Sequence, residues 1–275
     1  MARIGFIGLG NMGLPMAVNL ARAGNEVTGF DTVPAAIDKA RAGGIAVAAS
    51  AAEAAAGRDI VVTMLPSGKI VLSVFREIVP ACAGGTVIVD SSTIDVTSAR
   101  EAHAMAQAAG LLSLDAPVSG GVGGAEAATL TFMIGGPHAA VEKARPALEK
   151  MGRRLVHCGD GGAGQAAKIC NNMLLGISMI GACEAFALAS RLGLSPQALF
   201  DVVSPSPGSC WSVNTYCPVP GVGPQSPADN DYRPGFAAAL MLKALVLSQQ
   251  AAGESGQATP MGAQATRIYQ DFVDA

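Results

Sequence analysis

The sequence predicts an α/β protein in which a doubly wound, mainly parallel sheet is followed by an all-α domain. Short apolar runs rich in Val and Ile alternate with Ala-rich helical runs up to about residue 160, and this alternation is typical of parallel strands connected by helices. The turn-rich segment Gly159-Asp160-Gly161-Gly162 interrupts the pattern, and only helical patterns follow it. We therefore predict two domains, residues 1–162 and residues 163–275.

The strands are predicted from continuous apolar runs, which indicate a sheet that is buried on both faces. They cover residues 3–7, 26–30, 60–65, 86–90, 112–115, 130–134 and 155–158. Helical periodicity predicts helices at 12–23, 34–42 and 96–109 in the first domain, and at 164–191, 195–203 and 236–252 in the second. The proline-rich residues 205–234 are predicted to be irregular, and a loop of this length commonly has a functional or packed role.

Composition narrows the classes of function. The chain has 275 residues, of which 50% are hydrophobic and 14% charged, and its net charge is -3. This length permits a large core. No run of Lys and Arg is present to neutralise phosphates, so we expect no nucleic-acid partner. No metal site is predicted either.

The cysteines and one apolar segment bear on the environment of the chain. Six cysteines are present without a CxxC pair, and for five of them we predict buried free thiols. With no secretory or transit segment recognisable at the N-terminus, we expect a cytoplasmic, reducing compartment. Residues 173–190 are almost wholly apolar apart from Glu184. A buried helix is the favoured interpretation, and a membrane span is the alternative that spacing leaves open.

A glycine-rich turn follows the first predicted strand and precedes a predicted helix. Its sequence is Gly8-Leu9-Gly10-Asn11-Met12-Gly13. In this context Gly8 permits the tight turn, Gly10 lets a pyrophosphate approach the backbone, and Gly13 permits close packing of helix on strand. The helix N-terminus then offers free N–H groups to the phosphates. The motif predicts a Rossmann-type dinucleotide-binding domain.

An acidic residue at the end of the second strand indicates which dinucleotide is bound. Asp31 lies 18 residues after Gly13, where a carboxylate accepts hydrogen bonds from the ribose hydroxyls of NAD and repels a 2′-phosphate. The next residue is Thr32 rather than a basic residue that would favour NADP. The alternative is that Asp31 caps the helix that begins at Pro34. We predict NAD as the cofactor.

Two further segments follow predicted strands. Leu65-Pro66-Ser67 and Ser91-Ser92-Thr93 each lie at the carboxyl end of a parallel strand, which is where open sheets of this kind bind ligands. Each segment taken alone is more often an ordinary loop at a strand end. Their shared location favours a role at the cofactor site.

Lys168 is the best candidate for an acid–base residue. It lies near the start of the long predicted helix, and Asn172 is four residues further on the same face. Burial lowers the pKa of a lysine toward the range in which it can exchange protons. The alternative is a lysine whose amine extends to solvent. The three histidines, His103, His138 and His157, are predicted to have surface or packing roles.

A second glycine-rich segment, Asp115-Ala116-Pro117-Val118-Ser119-Gly120-Gly121, follows another predicted strand. Ser119 and the backbone N–H groups of Gly120 and Gly121 could bind an anion such as a carboxylate. A simple glycine-rich bend is an equally good interpretation of the segment by itself.

Together these motifs resemble the β-hydroxyacid dehydrogenase family over essentially the whole chain. The resemblance rests on the two glycine-rich segments and on Gly164–Asn172. It implies that Lys168 is the catalytic acid–base residue, that Ser119, Gly120 and Gly121 bind the substrate carboxylate, and that Asn172 orients the substrate. It also implies that Leu65, Pro66, Thr93 and Lys243 contact the cofactor. The expected partner is a small-molecule 3-hydroxy acid, and the expected assembly is a homodimer or homotetramer formed through the helical domain, with no membrane association.

Within the family, residues 166–175 and 210–222 are most similar to the branch that oxidises 3-hydroxyisobutyrate with NAD in valine breakdown. The alternatives are a sister enzyme, such as a tartronate semialdehyde or glyoxylate reductase or a serine dehydrogenase, and a non-catalytic dinucleotide-binding module. The sequence departs from the family pattern at Ala244, where an aspartate is usual, and at Ile70, where an asparagine is common. We also expect the chain to end short of the family's usual final helix.

Overall fold

A nine-stranded sheet organises the first part of the chain in this computed structural model, which describes residues 1–233 and 235–275. The strands are β1 Arg3–Ile7, β2 Glu26–Phe30, β3 Ala46–Val47, β4 Ile60–Thr63, β5 Val87–Asp90, β6 Leu112–Asp115, β7 Val118–Ser119, β8 Leu130–Gly135 and β9 Gly152–Gly159. They belong to one of two compact units, Met1–Lys168, and the other unit is Ile169–Ala275.

The sheet is doubly wound, as the sequence predicts. Its order is β3-β2-β1-β4-β5-β6-β8-β7, and β9 pairs with β8. The six strands from β3 to β6 pair in parallel, whereas β8 is antiparallel to β6 and β7. The chain reverses its direction of winding between β1 and β4, and the crevice at the carboxyl ends of these strands is where such sheets bind dinucleotides.

The helices of the first unit begin where the local sequence supplies a start signal. They are α1 Gly13–Arg22, α2 Pro34–Ala42, α3 Ala51–Ala55, α4 Gly68–Ile78, α5 Val96–Ala108, α6 Gly121–Glu126, α7 His138–Leu148 and the first turns of α8 Ala163–Arg191. Ser67 caps α4 and Asp95 caps α5 through side-chain oxygens, and Pro34 begins α2. Caps of these residue types satisfy the unpaired N–H groups of a helix start.

Two apolar cores cover the two faces of the sheet. Phe6 belongs to one core and the adjacent Ile7 to the other. On β4 the same alternation divides Val62 from Val61. Because successive side chains of a strand point to opposite faces, continuous apolar strands are expected in a sheet that is covered on both sides.

The second unit is helical and contains the rest of α8. Its further helices are α9 Pro196–Val203, α10 Trp211–Asn214, α11 Ala238–Ser255 and α12 Pro260–Asp274. One small core contains Phe186, Val213 and Cys217, and another contains Met241, Leu245 and Ala265. Residues 205–233 are mainly irregular apart from α10 and a 3₁₀ turn at Pro227–Asn230. Pro234, the last residue of the predicted irregular segment, lies outside the described residues.

Two predictions about burial were wrong. Within the part of the chain that the structure describes, α8 is the one helix long and apolar enough to cross a membrane by length and composition, and only 22% of its most apolar window is buried in the chain. The prediction of a buried helix there therefore fails for most positions. Among the six cysteines only Cys217 is buried, and Cys158, Cys170 and Cys183 are exposed.

Candidate active site

The glycine-rich turn has the geometry that its sequence predicts. Gly8 has φ +94°, a conformation that favours glycine. A Cβ at Gly8 would collide with the carbonyl oxygen of Met64, and a Cβ at Gly13 would collide with the carbonyl oxygen of Gly8. A Cβ at Gly10 would meet nothing within 4 Å. The space in front of Gly10 is therefore open to a ligand, which fits the approach of a pyrophosphate at the start of α1.

Asp31 lies at the carboxyl end of β2 and contacts this turn. Its Oδ2 accepts a hydrogen bond from the N–H of Leu9 at 2.6 Å, and its Oδ1 accepts one from the N–H of Val33 at 2.8 Å. The side chain is half-buried. The cap predicted as the alternative is not formed on α2 itself, where the N-cap residue Val33 has no side-chain cap bond. Asp31 instead braces the turn before α2 and the glycine-rich turn.

The carboxyl ends of β4 and β5 are joined by a buried polar cluster. Asp90 Oδ1 accepts hydrogen bonds from the hydroxyls of Thr63 at 2.7 Å and Ser92 at 2.5 Å. Ser92 Oγ in turn accepts the N–H of Leu65 at 2.8 Å. Burial raises the pKa of the Asp90 carboxyl, although these hydrogen bonds oppose the shift. The cluster fixes the two loops that carry Leu65, Pro66 and Thr93.

Lys168 is buried, with 7% of its surface exposed. It lies in the second turn of α8, at the end of the first unit. Burial lowers the pKa of its ammonium to about 8, because removing a cation from water favours the neutral form. No ion pair to Lys168 is formed within residues 1–233 and 235–275. An amine in this state can give up or accept a proton near neutral pH.

The segment predicted to bind a carboxylate forms a turn between β7 and α6. Ser119 is the last residue of β7 and pairs with Thr131 of β8. Gly120 and Gly121 have φ +136° and +62°, so both depend on being glycine. Gly120 is exposed, while Ser119 and Gly121 are half-buried.

Two predicted site residues belong to the second unit. Asn172 lies on α8 one turn after Lys168 and is buried, and its Oδ1 accepts a 3.3 Å hydrogen bond from the amide of Asn171. Lys243 lies on α11 and is half-buried. Its neighbour Ala244, which departs from the family pattern, is buried. The other departure, Ile70, is 41% exposed on α4.

The strand register brings the predicted cofactor residues of the first unit to one edge of the sheet. Ile7 aligns with Phe30 and with Thr63, and Thr63 aligns with Asp90. The glycine-rich turn, Asp31, Leu65, Pro66 and Thr93 therefore follow four neighbouring strand ends. This is the arrangement that an extended dinucleotide requires.

Sequence reasoning missed Asp90 and Gln165 and assigned His103 only a surface or packing role. Each contacts the predicted site region through long-range hydrogen bonds, for example Gln165 to the carbonyl of Ser92 and His103 to Asp115. The available signal was the position of Gln165 on the Lys168 helix, three residues before the lysine. No group of three or more potential metal ligands is found among the described residues.

Comparison with known families assigns both units. Residues 3–159 match the NAD-binding domain of 6-phosphogluconate dehydrogenase. Residues 162–275 match the family described as NAD-binding of NADP-dependent 3-hydroxyisobutyrate dehydrogenase. NAD-binding is thus a property of the matched families over nearly the whole chain.

Individual relatives agree with the family matches. The chain is 53% identical over 273 residues to a probable 3-hydroxyisobutyrate dehydrogenase of Mycobacterium tuberculosis, covering 99% of this chain and 93% of the relative. It is 48% identical to an NAD-dependent L-serine dehydrogenase of Pseudomonas aeruginosa, covering 98% and 91%. It also superposes with TM-score 0.98 and 52% identity on a solved Mycobacterium tuberculosis 3-hydroxyisobutyrate dehydrogenase with L-serine, covering 100% and 94%.

Proposed function

The chain belongs to the β-hydroxyacid dehydrogenase family, and from this premise we propose that it oxidises 3-hydroxyisobutyrate to methylmalonate semialdehyde with NAD. The observation that carries the proposal is the buried Lys168, whose pKa is lowered to about 8 by burial. A dehydrogenase that acts on an alcohol needs a group that removes the hydroxyl proton and returns it in the reverse reaction. Lys168 has the chemistry for this task.

In the proposed reaction the neutral amine of Lys168 accepts the hydroxyl proton as the C–O bond becomes a carbonyl. Bound NAD would supply the acceptor for the hydride that leaves the same carbon. In reduction the protonated Lys168 returns its proton to the alkoxide oxygen. The Ser119 hydroxyl and the N–H groups of Gly120 and Gly121 bind the substrate carboxylate, and Asn172 orients the hydroxyl through its side-chain amide.

We propose NAD rather than NADP as the preferred cofactor. Asp31 supports this preference because its carboxylate stands at the carboxyl end of β2, next to the glycine-rich turn. A second negative charge, that of a 2′-phosphate, would be repelled there. The same carboxylate can accept hydrogen bonds from the ribose hydroxyls.

L-serine is the second candidate substrate. Two relatives favour it by their names, the L-serine dehydrogenase of Pseudomonas aeruginosa and the Mycobacterium tuberculosis structure with L-serine. L-serine shares the 3-hydroxyl and the carboxylate with 3-hydroxyisobutyrate, and it carries an ammonium in place of the methyl group. Lys168 and Ser119–Gly121 would act alike on both acids, so the choice depends on what surrounds the group at carbon 2.

The test is NADH formation with both enantiomers of 3-hydroxyisobutyrate, L-serine, glycerate and 3-hydroxypropionate, each with NAD and with NADP. We expect the highest kcat/KM for one enantiomer of 3-hydroxyisobutyrate with NAD. The rate of oxidation should rise with pH through about 8, because the base is neutral Lys168. A higher kcat/KM for L-serine would transfer the assignment to the second candidate. Absence of turnover with every acid, despite NADH binding, would favour a non-catalytic module.

We further propose that the protein is a cytoplasmic homodimer or homotetramer that associates through its helical unit. Exposed leucines on α8, such as Leu174 and Leu188, support association because isolated apolar side chains on a long helix gain stability when a partner covers them. In this proposal α8 contacts protein rather than a membrane, and no nucleic acid is bound.

A further inference from the structure

A carboxylate fixes the first turn of α8, the helix that carries Lys168. Asp115 at the end of β6 accepts two backbone hydrogen bonds, from Gly162 N to Oδ1 and from Gln165 N to Oδ2, each at 2.8 Å. The N–H groups at a helix start lack partners within the helix, and a negative charge there is favourable to the helix dipole. Because each oxygen takes a separate N–H, the carboxylate restricts both the position and the rotation of the turn.

Asp115 is itself held by a chain of two side chains, half-buried His103 and buried Ser113. His103 Nε2 lies 2.9 Å from Asp115 Oδ1, and Ser113 Oγ lies 2.7 Å from His103 Nδ1. An imidazole that carries its proton on Nε2 donates to Asp115 and accepts from the Ser113 hydroxyl, which satisfies every contact. Only 1% of Asp115 is exposed, so its carboxylate has no alternative partner in solvent.

The turn also packs directly against backbone. A Cβ at Gly164 would collide with the carbonyl oxygens of Met133 and Asp115, and a Cβ at Gly135 would collide with Asp115 Oδ1. Glycine at these two positions permits the close approach. The start of α8 is thus seated on β6 and β8 with no side-chain layer between them.

Gln165 ties the same turn to the loop after β5. Its side chain is fully buried. Oε1 accepts the N–H of Ile94 at 3.1 Å, and Nε2 donates to the carbonyl of Ser92 at 2.7 Å. These two bonds bracket Thr93. Lys168 follows three residues later, about 4.5 Å along the helix axis at 1.5 Å per residue.

We propose that Gln165 is a positioning residue that, together with Asp115, sets the register of α8 against the Ser92–Ile94 loop and so fixes the depth of the Lys168 amine. The inference rests on the proposed function, in which Lys168 exchanges the substrate proton. A displacement of about 1 Å at a reacting group can lower a rate about 10²-fold. A glutamine whose side chain bonds to the backbone of Ser92 and Ile94 would then control the rate through the lysine.

The first experiment compares Gln165→Met with Thr86→Val. Methionine keeps the length and burial of Gln165 but loses both hydrogen bonds. Thr86→Val is the matched control because it also removes a buried 2.7 Å bond to a backbone carbonyl, that of Arg58, at the opposite end of β5. We expect Gln165→Met to lower kcat by about 10- to 100-fold, with the Kd for NADH changed by less than about 3-fold, and Thr86→Val to keep kcat within about 2-fold.

A second readout does not depend on turnover. The rate at which acetic anhydride labels Lys168 is followed against pH by mass spectrometry, without substrate. The labelling midpoint should be near 8 in the wild type and should rise toward the ordinary lysine value of about 10.4 in Gln165→Met. An unchanged midpoint in Gln165→Met would overturn the proposal, since a merely structural glutamine leaves Lys168 alone.

A double mutant separates action through Lys168 from action through the cofactor loop. In a Lys168→Ala background, Gln165→Met should lower the residual rate by less than about 2-fold, because the residue it positions is gone. A further full loss would instead assign Gln165 to the Thr93 loop and overturn the proposal.

If the wild type turns over none of the acids, the proposed function fails, while the labelling of Lys168 still decides this inference. Should Gln165→Met not fold, Gln165→Glu keeps the acceptor for Ile94 N–H and loses the donor to Ser92. It is tested by kcat and by the double mutant alone, because its added charge would itself raise the pKa of Lys168.

Discussion

The two units differ in how much of their apolar surface their own residues cover. In the first unit, Phe6 and Phe132 are fully buried in a core that the sheet and its helices close by themselves. In the second, Leu188 on α8 is 61% exposed, and Leu192, directly after the end of α8, is 76% exposed. In the first unit the chain itself covers the apolar side chains, whereas in the second unit apolar side chains remain exposed on the surface of the chain. The same kind of apolar pattern therefore predicts burial only where the connectivity of a sheet supplies the covering layers.

The first unit buries three charged groups and Gln165, whereas the buried polar groups among the described residues of the second, such as Asn172, are uncharged. Asp90, Asp115, Gln165 and Lys168 all have less than a tenth of their surface exposed. A buried charge destabilises a fold unless it is compensated, and such groups concentrate at functional sites. From this difference we expect that substitution of the buried lysine changes catalysis and the pH dependence of stability. Substitution of the exposed leucines should instead change the association of the chain with a second copy.

The largest expected effect is that of Lys168→Ala on catalysis. We expect kcat for the oxidation to fall by about 10²–10⁴ because the acid–base group is removed, while NADH still binds. The measurement is steady-state kinetics with NADH affinity from fluorescence titration. Lys150→Ala is the control, since Lys150 is an exposed lysine of the same unit. Near-normal turnover of Lys168→Ala would remove the lysine from the mechanism.

The second prediction concerns how much the burial of Lys168 lowers the free energy of unfolding. The folded state holds Lys168 with a pKa of about 8, below the value of about 10.4 in an unfolded chain. Between these values the unfolded state binds more protons, so stability rises with pH. Below pH 8 both states are protonated and the folded state carries the full cost, about 3 kcal/mol at most for a shift of this size.

Lys168→Met should therefore be more stable than the wild type at pH 7, and the difference in free energy of unfolding should close as pH rises from about 8 to about 10.5. Urea unfolding of both proteins at pH 7, 9 and 10.5 measures it. Taking the difference in free energy of unfolding between the two proteins removes the contribution of the other titrating groups, which both proteins share. A difference that stays constant with pH would mean that Lys168 is solvated in the folded protein.

A third prediction concerns the cofactor. Asp31→Asn keeps a neutral acceptor for the N–H of Leu9 and removes the charge. We expect the ratio of kcat/KM for NAD to that for NADP to fall by about 10- to 100-fold, because one charged hydrogen bond is worth about 1.5–3 kcal/mol. The control is Asp38→Asn, which removes an exposed carboxylate on α2. An unchanged ratio in Asp31→Asn would leave Asp31 with the bracing role alone.

The parts of the fold set by local pattern were predictable, and α2, β1, β2 and β6 have the predicted bounds. The strand β3 has two residues and α6 begins in a glycine-rich run, so neither shows a period that a sequence pattern can detect. The helix α12 was not predicted, although Pro260 at its start is a recognised signal for a helix.

The predicted site residues came from motifs contiguous in sequence, such as Gly8–Gly13 and Ser119–Gly121. The residues that were missed act over long separations. Gln165 reaches the backbone of Ser92, 73 residues earlier, and Asp115 accepts the N–H of Gln165 from 50 residues away. Such pairs depend on how strands and helices pack, and no local periodicity records them. Sequence motifs therefore supply candidates for the groups that do the chemistry, but they do not indicate which residues hold those groups in place.

The smallest expected effect tests the exposed side of the comparison. If a second copy of the chain covers α8, Leu188→Ser should weaken association by about 5- to 10-fold, since burying most of a leucine contributes about 1 kcal/mol. Sedimentation velocity over a range of concentrations measures this shift. Val156→Ser is the control, because Val156 is 43% exposed on β9 of the first unit. Equal sedimentation of Leu188→Ser and wild type would mean that this leucine stays in water. The second unit would then expose its apolar side chains in solution too, unlike the first unit.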